Sequence, residues 1–166
     1  MQGSSKTEEF EKLKALIEEI KIGMLTTQDE DGSLRSRPLQ TRAVEDDGSL
    51  WFFTSRSSPK VAEASADGWR VNVSYSRPDK MDYVSVSGRA RLVDDRERMK
   101  ELWTKWVELF FPKGLADPDL TLLRVDIEKA EYWDSPGTAL GRAYAVAKVL
   151  ATGNTDAIGD NVKIGG

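Results

Sequence analysis

The chain has 166 residues, a length that suits one domain of ordinary size. Its 24 Lys and Arg residues against 28 Asp and Glu residues give a net charge of -4, which does not support a nucleic-acid or anionic-membrane partner. The absence of cysteine and histidine excludes disulfides, thiolate and imidazole metal sites, and Ser–His or Cys–His catalysis, so an enzyme of this composition would rely on a bound cofactor.

The N-terminal segment is polar and acidic, and it lacks the basic and then apolar pattern of a signal sequence. No apolar run approaches the roughly 20 residues that a membrane span needs. We therefore expect a cytoplasmic protein that has no membrane partner.

The first predicted element is an amphipathic helix. Within SKTEEFEKLKALIEEIK, which begins at Ser5, apolar residues recur at helical spacing between charged ones. Asp/Gly turns then separate the segments IGMLTTQ, SLRSRPLQTRAVE and LWFFTS, which are rich in strand-forming residues. These segments predict three antiparallel strands, and the Ala-rich PKVAEASAD predicts a short helix that ends at Gly68.

The second half of the chain predicts three more strands and two helices. WRVNVSYS and YVSVSGRARLV alternate apolar and polar residues, and LTLLRVDIEKAEYWD supplies the sixth strand. Asp94 and Glu97 form a D-x-x-E capping pattern before a helix that carries an aromatic stripe. LGRAYAVAKVL predicts a last helix, and the Gly/Asn/Asp-rich segment from Thr152 is expected to be a disordered tail.

Short strands with tight turns, preceded and interrupted by helices, predict a mainly β protein, a six-stranded antiparallel barrel with helices at its openings. We expect one domain over residues 1–151 and a tail over residues 152–166. A parallel nucleotide-binding fold is disfavoured, because the chain lacks long βαβ alternation and both common Gly-rich phosphate motifs.

The segment that follows the aromatic strand has the features of an anion site. Ser58 is a good N-cap and Pro59 suits the first helical position, so a helix should begin where the strand ends. Its free N–H groups, the neighbouring hydroxyls and Lys60 would form a phosphate cradle. The same residues are also those of a routine helix cap, and both interpretations stay open.

The preceding strand carries cations on both faces. Alternation places Arg35 and Arg37 on one face and Arg42 on the other, and Pro38 indicates a sheet edge or a bulge. An arginine here could reach the phosphate that Lys60 binds. The alternative is that these arginines are solvated residues that protect an edge strand.

Further aromatic and acidic residues have simpler interpretations. The aromatic residues of the predicted third helix could form a ligand platform, but aromatic residues at helical spacing more often pack in a core or a subunit interface. We therefore assign them to packing: Trp103, Trp106, Phe110 and Phe111. Asp79, Asp82, Asp94 and Asp95 lack metal-loop spacing, and we assign them to turns and caps rather than to a metal site. Trp133, at a strand end, could cover a ligand ring or close the barrel.

Five motifs occur in order along the chain: Arg37-Pro38-Leu39, then W-F-F-T, then S-x-P-K, then V-S-V-S-G-R-A, then E-Y-W-D. This ordered set, from Gly23 to Asp134, resembles the FMN-binding split barrels related to pyridoxamine 5'-phosphate oxidase, and more narrowly the general stress protein 26 branch. The resemblance implies a homodimer that holds FMN at the subunit interface.

The resemblance also implies roles for residues on the Arg-Pro-Leu strand and in the loop after the aromatic strand. By matching position, Arg37, Pro38 and Leu39 would line the flavin. Arg42 and Lys60 would bind its phosphate.

Two further groups of residues match the family pattern. Thr54, Ser55 and Ser58 would contact the isoalloxazine edge or the phosphate. Tyr83 and Trp133 would approach from the partner subunit.

Two departures from the family pattern affect the expected activity. The oxidases have an arginine before the lysine of the phosphate loop, where this chain has Pro59, and Arg56 could replace it. The oxidases also have a substrate-binding Arg-x-His stretch, where this chain has Ala139, Leu140 and Gly141. We therefore do not expect pyridoxamine 5'-phosphate oxidation.

Three functional hypotheses remain. The first is a flavin-dependent oxidoreductase that acts on an unidentified small molecule and has a stress-related role. The second is a flavin-binding module that stores, senses or carries the cofactor without turnover. The third is a relative that uses FAD or the deazaflavin F420, because a phosphate cradle does not report what lies beyond the phosphate.

Overall fold

The computed structural model of the chain describes residues 2–58, 68–135, 139–153 and 160–165. The helices of these ranges are α1 (Gln2–Ile20), α2 (Arg96–Leu102), α3 (Lys105–Phe110) and α4 (Ala139–Thr152), with a 3-10 turn at Gly114–Ala116. The strands are β1 (Ile22–Gln28), β2 (Leu34–Gln40), β3 (Ala43–Val44), β4 (Ser49–Ser55), β5 (Trp69–Arg77), β6 (Asp82–Val93), β7 (Leu120–Asp134) and β8 (Asp160–Ile164).

The strands form one antiparallel sheet in the order β2-β1-β5-β6-β7-β4-β3, and β8 also pairs with β7. The long β7 pairs with β6 on one edge, while β4 and then β8 occupy successive parts of its other edge. The sheet curls until β2 approaches β4. This arrangement confirms the predicted mainly β, antiparallel split barrel with helices.

One cluster of apolar side chains fills the barrel, and we call it the barrel cluster. Leu13 and Ile17 of α1 are fully buried against Leu25 of β1 and Phe52 of β4. Leu25 and Phe52 point to the inner face of the sheet, because successive side chains of a strand point to opposite faces. The helix α1 therefore closes the barrel.

A second cluster lies on the opposite face of β4, and we call it the helix-side cluster. Trp51 and Phe53 of β4 pack there against Met99 and Leu102 of α2 and Val107 of α3. A single strand thus contributes apolar side chains to two cores.

The segment 84–90 contains a β-bulge at Ser87 and Gly88, where the register between β6 and β7 shifts. The carbonyl of Asp126 approaches Gly88 so closely that any side chain at position 88 would collide with it. The glycine of V-S-V-S-G is thus required by a close approach of the backbone.

The strand count differs from the sequence prediction at two places. The second predicted strand is divided into β2 and β3, because Thr41 and Arg42 leave the sheet between them. In the expected disordered tail, Asp160–Ile164 form β8, and Val162 and Ile164 pack against the barrel cluster. The predicted helix PKVAEASAD, residues 59–67, lies outside the described residues.

The aromatic helix also differs from its prediction. Trp103 and Thr104 are extended, so the predicted single helix is divided into α2 and α3. The N-cap of α2 is Asp95, whose side chain accepts a hydrogen bond of 3.0 Å from the Arg98 amide, and not Asp94. Two consecutive aspartates made the cap position ambiguous from the pattern alone.

Within the described ranges, no helix combines the length and the apolar character that a membrane span requires.

Candidate functional site

An apolar groove of about 230 Å³ lies between the end of β2 and the helix α3. The strand side contributes Pro38, Leu39 and Arg42, and the helix side contributes Trp106 and Phe110. Further lining comes from Ile22, Gln40, Phe53, Val107 and Phe111. The groove therefore brings together three residues that the sequence predicted as ligand contacts and several aromatic rings.

A more polar groove of about 370 Å³ adjoins the first. Gln40, Arg42 and Trp106 line both grooves, while Lys21 and Thr104 line only the polar one. Small-molecule sites commonly combine apolar walls with a few polar groups that fix orientation. Arg42 stands where the two kinds of lining meet.

The contacts of Arg42 hold its guanidinium group at the grooves. Its Nε donates to the carbonyl of Leu102 at 3.3 Å, and its Nη1 donates to the side-chain oxygen of Gln40 at 3.2 Å. Burial lowers the pKa of Arg42, but a guanidinium stays charged at neutral pH. The chain therefore positions a cation beside the apolar groove.

Arg37, on β2, has a different environment from Arg42, which lies between β2 and β3. It pairs with Leu25 in the sheet register, and its Nη2 donates to the Thr27 hydroxyl at 3.0 Å. Its Nε is buried and has no hydrogen-bond partner among the described residues. Burial, and secondarily Arg35, lowers the pKa of Arg37. This residue does not line the groove that Pro38 and Leu39 line.

The loop after β4 is held by acidic residues. Asp119 accepts hydrogen bonds from the amide of Ser57 at 2.8 Å and from its hydroxyl at 2.7 Å. The Ser57 hydroxyl is the main reason why the pKa of Asp119 is lowered. Arg56, which the sequence offered as a replacement phosphate ligand, forms an ion pair of 2.7 Å with Asp94.

The predicted residues of this loop are only partly brought together. Thr54 is buried and pairs with Thr121, whereas Ser55 follows it in β4 and so points to the other face. Ser58 is half-buried, and its amide donates to the carbonyl of Ser55 at 3.1 Å. Lys60, like Pro59, lies outside the described residues.

Tyr83 and Trp133 are direct neighbours on β6 and β7, and they are 40% and 38% exposed. Neither residue lines the apolar groove or the polar groove. The chain therefore does not bring these two rings to its own groove.

Sequence reasoning rejected a ligand role for the aromatic residues that form one wall of the groove. Trp103 and Phe111 do pack against the helix-side cluster, as their assignment to packing implied. Trp106 and Phe110 are 55% and 69% exposed, so core packing is wrong for them. The only available signal was their spacing of four residues, which places both on one helix face.

Residues 8–157 match the family described as "Pyridoxamine 5'-phosphate oxidase like". The chain is 30% identical over 143 residues to protein bli-3 of Neurospora crassa, a match that covers 80% of this chain and 68% of that protein.

Two solved structures resemble the fold. A structure from Xanthomonas citri, named as a general stress FMN/FAD binding protein, is 31% identical, with a TM-score of 0.65 over 77% of this chain and 89% of that chain. A structure from Jannaschia sp. CCS1, assigned as a general stress protein 26, is 24% identical, with a TM-score of 0.75 over 92% of this chain and 94% of that chain.

The family match spans nearly the whole barrel and agrees with the order of motifs that the sequence displays. It includes all of the groove-lining residues and the β6–β7 bulge. The chain therefore belongs to the pyridoxamine 5'-phosphate oxidase-like family.

Proposed function

We propose that the protein binds FMN and acts as a flavin-dependent oxidoreductase on a small molecule, with a stress-related role. The observation that carries this proposal is the position of Arg42 beside the apolar groove formed by Pro38 and Leu39. The name of the Xanthomonas citri neighbour, which mentions FMN and FAD binding, supports the same cofactor class.

The residues of the groove fit the chemistry of FMN. FMN has a flat ring system with an apolar dimethylbenzene end and a polar pyrimidine edge, and it has an anionic phosphate. The groove offers apolar walls with a guanidinium beside them. Charge-assisted hydrogen bonds from arginine to phosphate are among the strong ones in proteins. Bound FMN would supply hydride and electron transfer, which suits a chain without histidine or cysteine.

In this proposal Pro38 and Leu39 line the ring system, with Arg37 on the same strand, and Arg42 and Lys60 bind the phosphate. The hydroxyls of Thr54 and Ser55 at the end of β4, and of Ser58 in the loop after it, contact the ring edge or the phosphate. Asp119 supports that loop by holding Ser57. Pro38 lies on β2, at the edge of the sheet, where a residue without a backbone N–H is tolerated.

We also propose a homodimer in which Tyr83 and Trp133 of one subunit approach the flavin of the other. Both rings are exposed on the sheet face that also exposes Ile22 (55%) and Met24 (39%). Apolar side chains grouped on one exposed face are typical of an interaction surface. A partner that covers this face would bury all four residues.

Pyridoxamine 5'-phosphate is not the substrate that we propose. Ala139, Leu140 and Gly141, which stand where the oxidases have Arg-x-His, carry no charge for a substrate phosphate and begin α4. The same observation favours a second candidate function, a flavin-binding module that stores or senses the cofactor without turnover. FAD or F420 is the alternative cofactor for either function.

The test begins with the visible spectrum of the purified protein and thermal denaturation with and without FMN. We expect a yellow protein, or a colourless protein whose melting temperature rises with FMN. A protein that FMN neither colours nor stabilises contradicts every FMN hypothesis. If FMN binds, reduction by NADH or NADPH followed by reoxidation separates an oxidoreductase from a storage or sensing module.

A further inference from the structure

Two aromatic side chains on one face of α3 remain exposed. Trp106 and Phe110 are 55% and 69% exposed. Their ring centroids lie 6.3 Å apart at an interplanar angle of 69°, an edge-to-face geometry of the kind that aromatic pairs prefer. We call this pair the aromatic edge.

The aromatic edge is not needed to close the helix-side cluster. Val107 on the neighbouring face of α3 is 3% exposed, and Trp103 and Phe111 cover Phe53 with ring centroids at 5.5 Å and 6.3 Å. Substitutions of exposed side chains usually change stability little. Truncation of the aromatic edge should therefore leave the fold intact.

The aromatic edge forms one wall of the apolar groove. Trp106 and Phe110 line it, and Pro38 and Leu39 line it from β2. Leu109 lies on the same helix and is 67% exposed, yet it lines neither the apolar nor the polar groove. Leu109 is thus exposed on α3 without lying at a groove.

The charge beside this wall indicates which kind of ligand it suits. Trp106 and Arg42 both line the two grooves, so a flat ring against the aromatic edge could have its anionic end near a guanidinium. Aromatic faces bind flat rings by stacking, and arginine binds phosphate. This combination selects a planar aromatic ligand that carries an anionic group.

Building on the proposed function, we infer that the aromatic edge is the contact surface for the ring system of the flavin. Trp106 and Phe110 set the affinity for the ring, whereas Arg42 sets the affinity for the phosphate. The two contributions are separable because they come from different elements, α3 and the segment between β2 and β3.

The test compares two ligands that share the ring system, FMN and riboflavin, of which only FMN carries a phosphate. Dissociation constants are measured by flavin fluorescence for the wild-type chain and for Trp106→Ala, Phe110→Ala and Leu109→Ala. We expect Trp106→Ala and Phe110→Ala to weaken the binding of both ligands by a similar factor, about 3- to 10-fold. Trp106→Phe should retain most of the affinity, and Leu109→Ala should leave it unchanged.

Three results would decide against the inference. If wild-type protein binds FMN and neither aromatic substitution alters binding, the inference is wrong while the proposed function stands. If wild-type protein does not bind FMN, the proposed function fails, and the inference fails with it. If Leu109→Ala weakens binding as much as Trp106→Ala, and size-exclusion chromatography shows that both change the oligomeric state, this helix face is a subunit contact instead.

Discussion

The two faces of β4 are both apolar, but they border different structures. Phe52 is fully buried in the barrel cluster, which the curled sheet and the 19-residue helix α1 enclose. Phe53, 5% exposed, belongs to the helix-side cluster, which the 7-residue α2 and the 6-residue α3 cover, and it also lines the apolar groove. One face of the strand thus packs only within a core, whereas the other packs in a core and also borders the candidate groove.

The sharpest test of this difference replaces each ring in turn. Phe52→Ala should lower the free energy of unfolding by about 3–5 kcal/mol, since it leaves a cavity that sheet and helix cannot easily fill. Phe53→Ala should lower it by less, because short helices can shift toward the gap, but it should also weaken FMN binding. Urea denaturation and flavin fluorescence measure the two effects. Equal losses of stability with unchanged FMN affinity in Phe53→Ala would remove the distinction.

The cations on the binding side offer the second test. Arg42→Ala and Lys60→Ala should each weaken FMN binding by about 10-fold or more, because hydrogen bonds to charged groups contribute about 1.5–3 kcal/mol. Riboflavin binding should not change, since riboflavin has no phosphate. Arg70→Ala removes an exposed cation on β5 and serves as the control. Unchanged FMN affinity in Lys60→Ala would remove Lys60 from the site.

Substitutions around Trp51 test whether the whole helix-side cluster affects FMN binding. The guanidinium groups of Arg98 and Arg124 lie 5.2 Å and 5.4 Å from its centroid. Arg98→Ala and Arg124→Ala should each lower the free energy of unfolding by about 1 kcal/mol, the scale of a cation–π contact. FMN affinity should stay constant in both variants. A fall in FMN affinity would extend the binding role of β4 beyond Phe53.

The smallest expected effect concerns acid stability. The pKa of Asp119 is lowered in the folded chain by its hydrogen bonds from Ser57, so its carboxylate stabilises the fold above its unfolded pKa of about 3.9. That contribution is lost as the pH falls through the lower, folded pKa. As the pH falls from neutral to below about 4, the free energy of unfolding should therefore fall less in Asp119→Asn than in the wild-type chain. Identical pH profiles, measured by urea denaturation, would show that the loop contact is irrelevant to acid stability.

The sequence predicted most of the fold because its strands alternate cleanly. β1 and β7 have the predicted bounds, and the apolar face of β6 is the buried one. The strand β8 was missed because five residues in a Gly/Asn/Asp-rich context carry too little pattern. Its pairing with Ala130–Asp134 is a tertiary effect, and local propensity does not report it.

The candidate site was less predictable than the fold. Pro38, Leu39 and Arg42 were proposed from the strand pattern and from the resemblance, and they meet at one groove. The rings of Trp106 and Phe110 were assigned to packing, because a continuous helix would have turned its aromatic stripe inward. Trp103 and Thr104 are extended, so α3 does not continue the helical periodicity of α2, and hydrophobic periodicity alone does not predict such a break.

That break also explains how Arg42 finds an acceptor. In one uninterrupted α-helix, the carbonyl of Leu102 would accept the amide hydrogen of Trp106. Because α2 ends there, the carbonyl accepts a hydrogen bond from the Arg42 Nε instead, and it lies at the helix terminus that carries partial negative charge. The position of Arg42 and the position of the aromatic edge thus both depend on the end of α2 at Leu102. A substitution that fused α2 and α3 would disturb both.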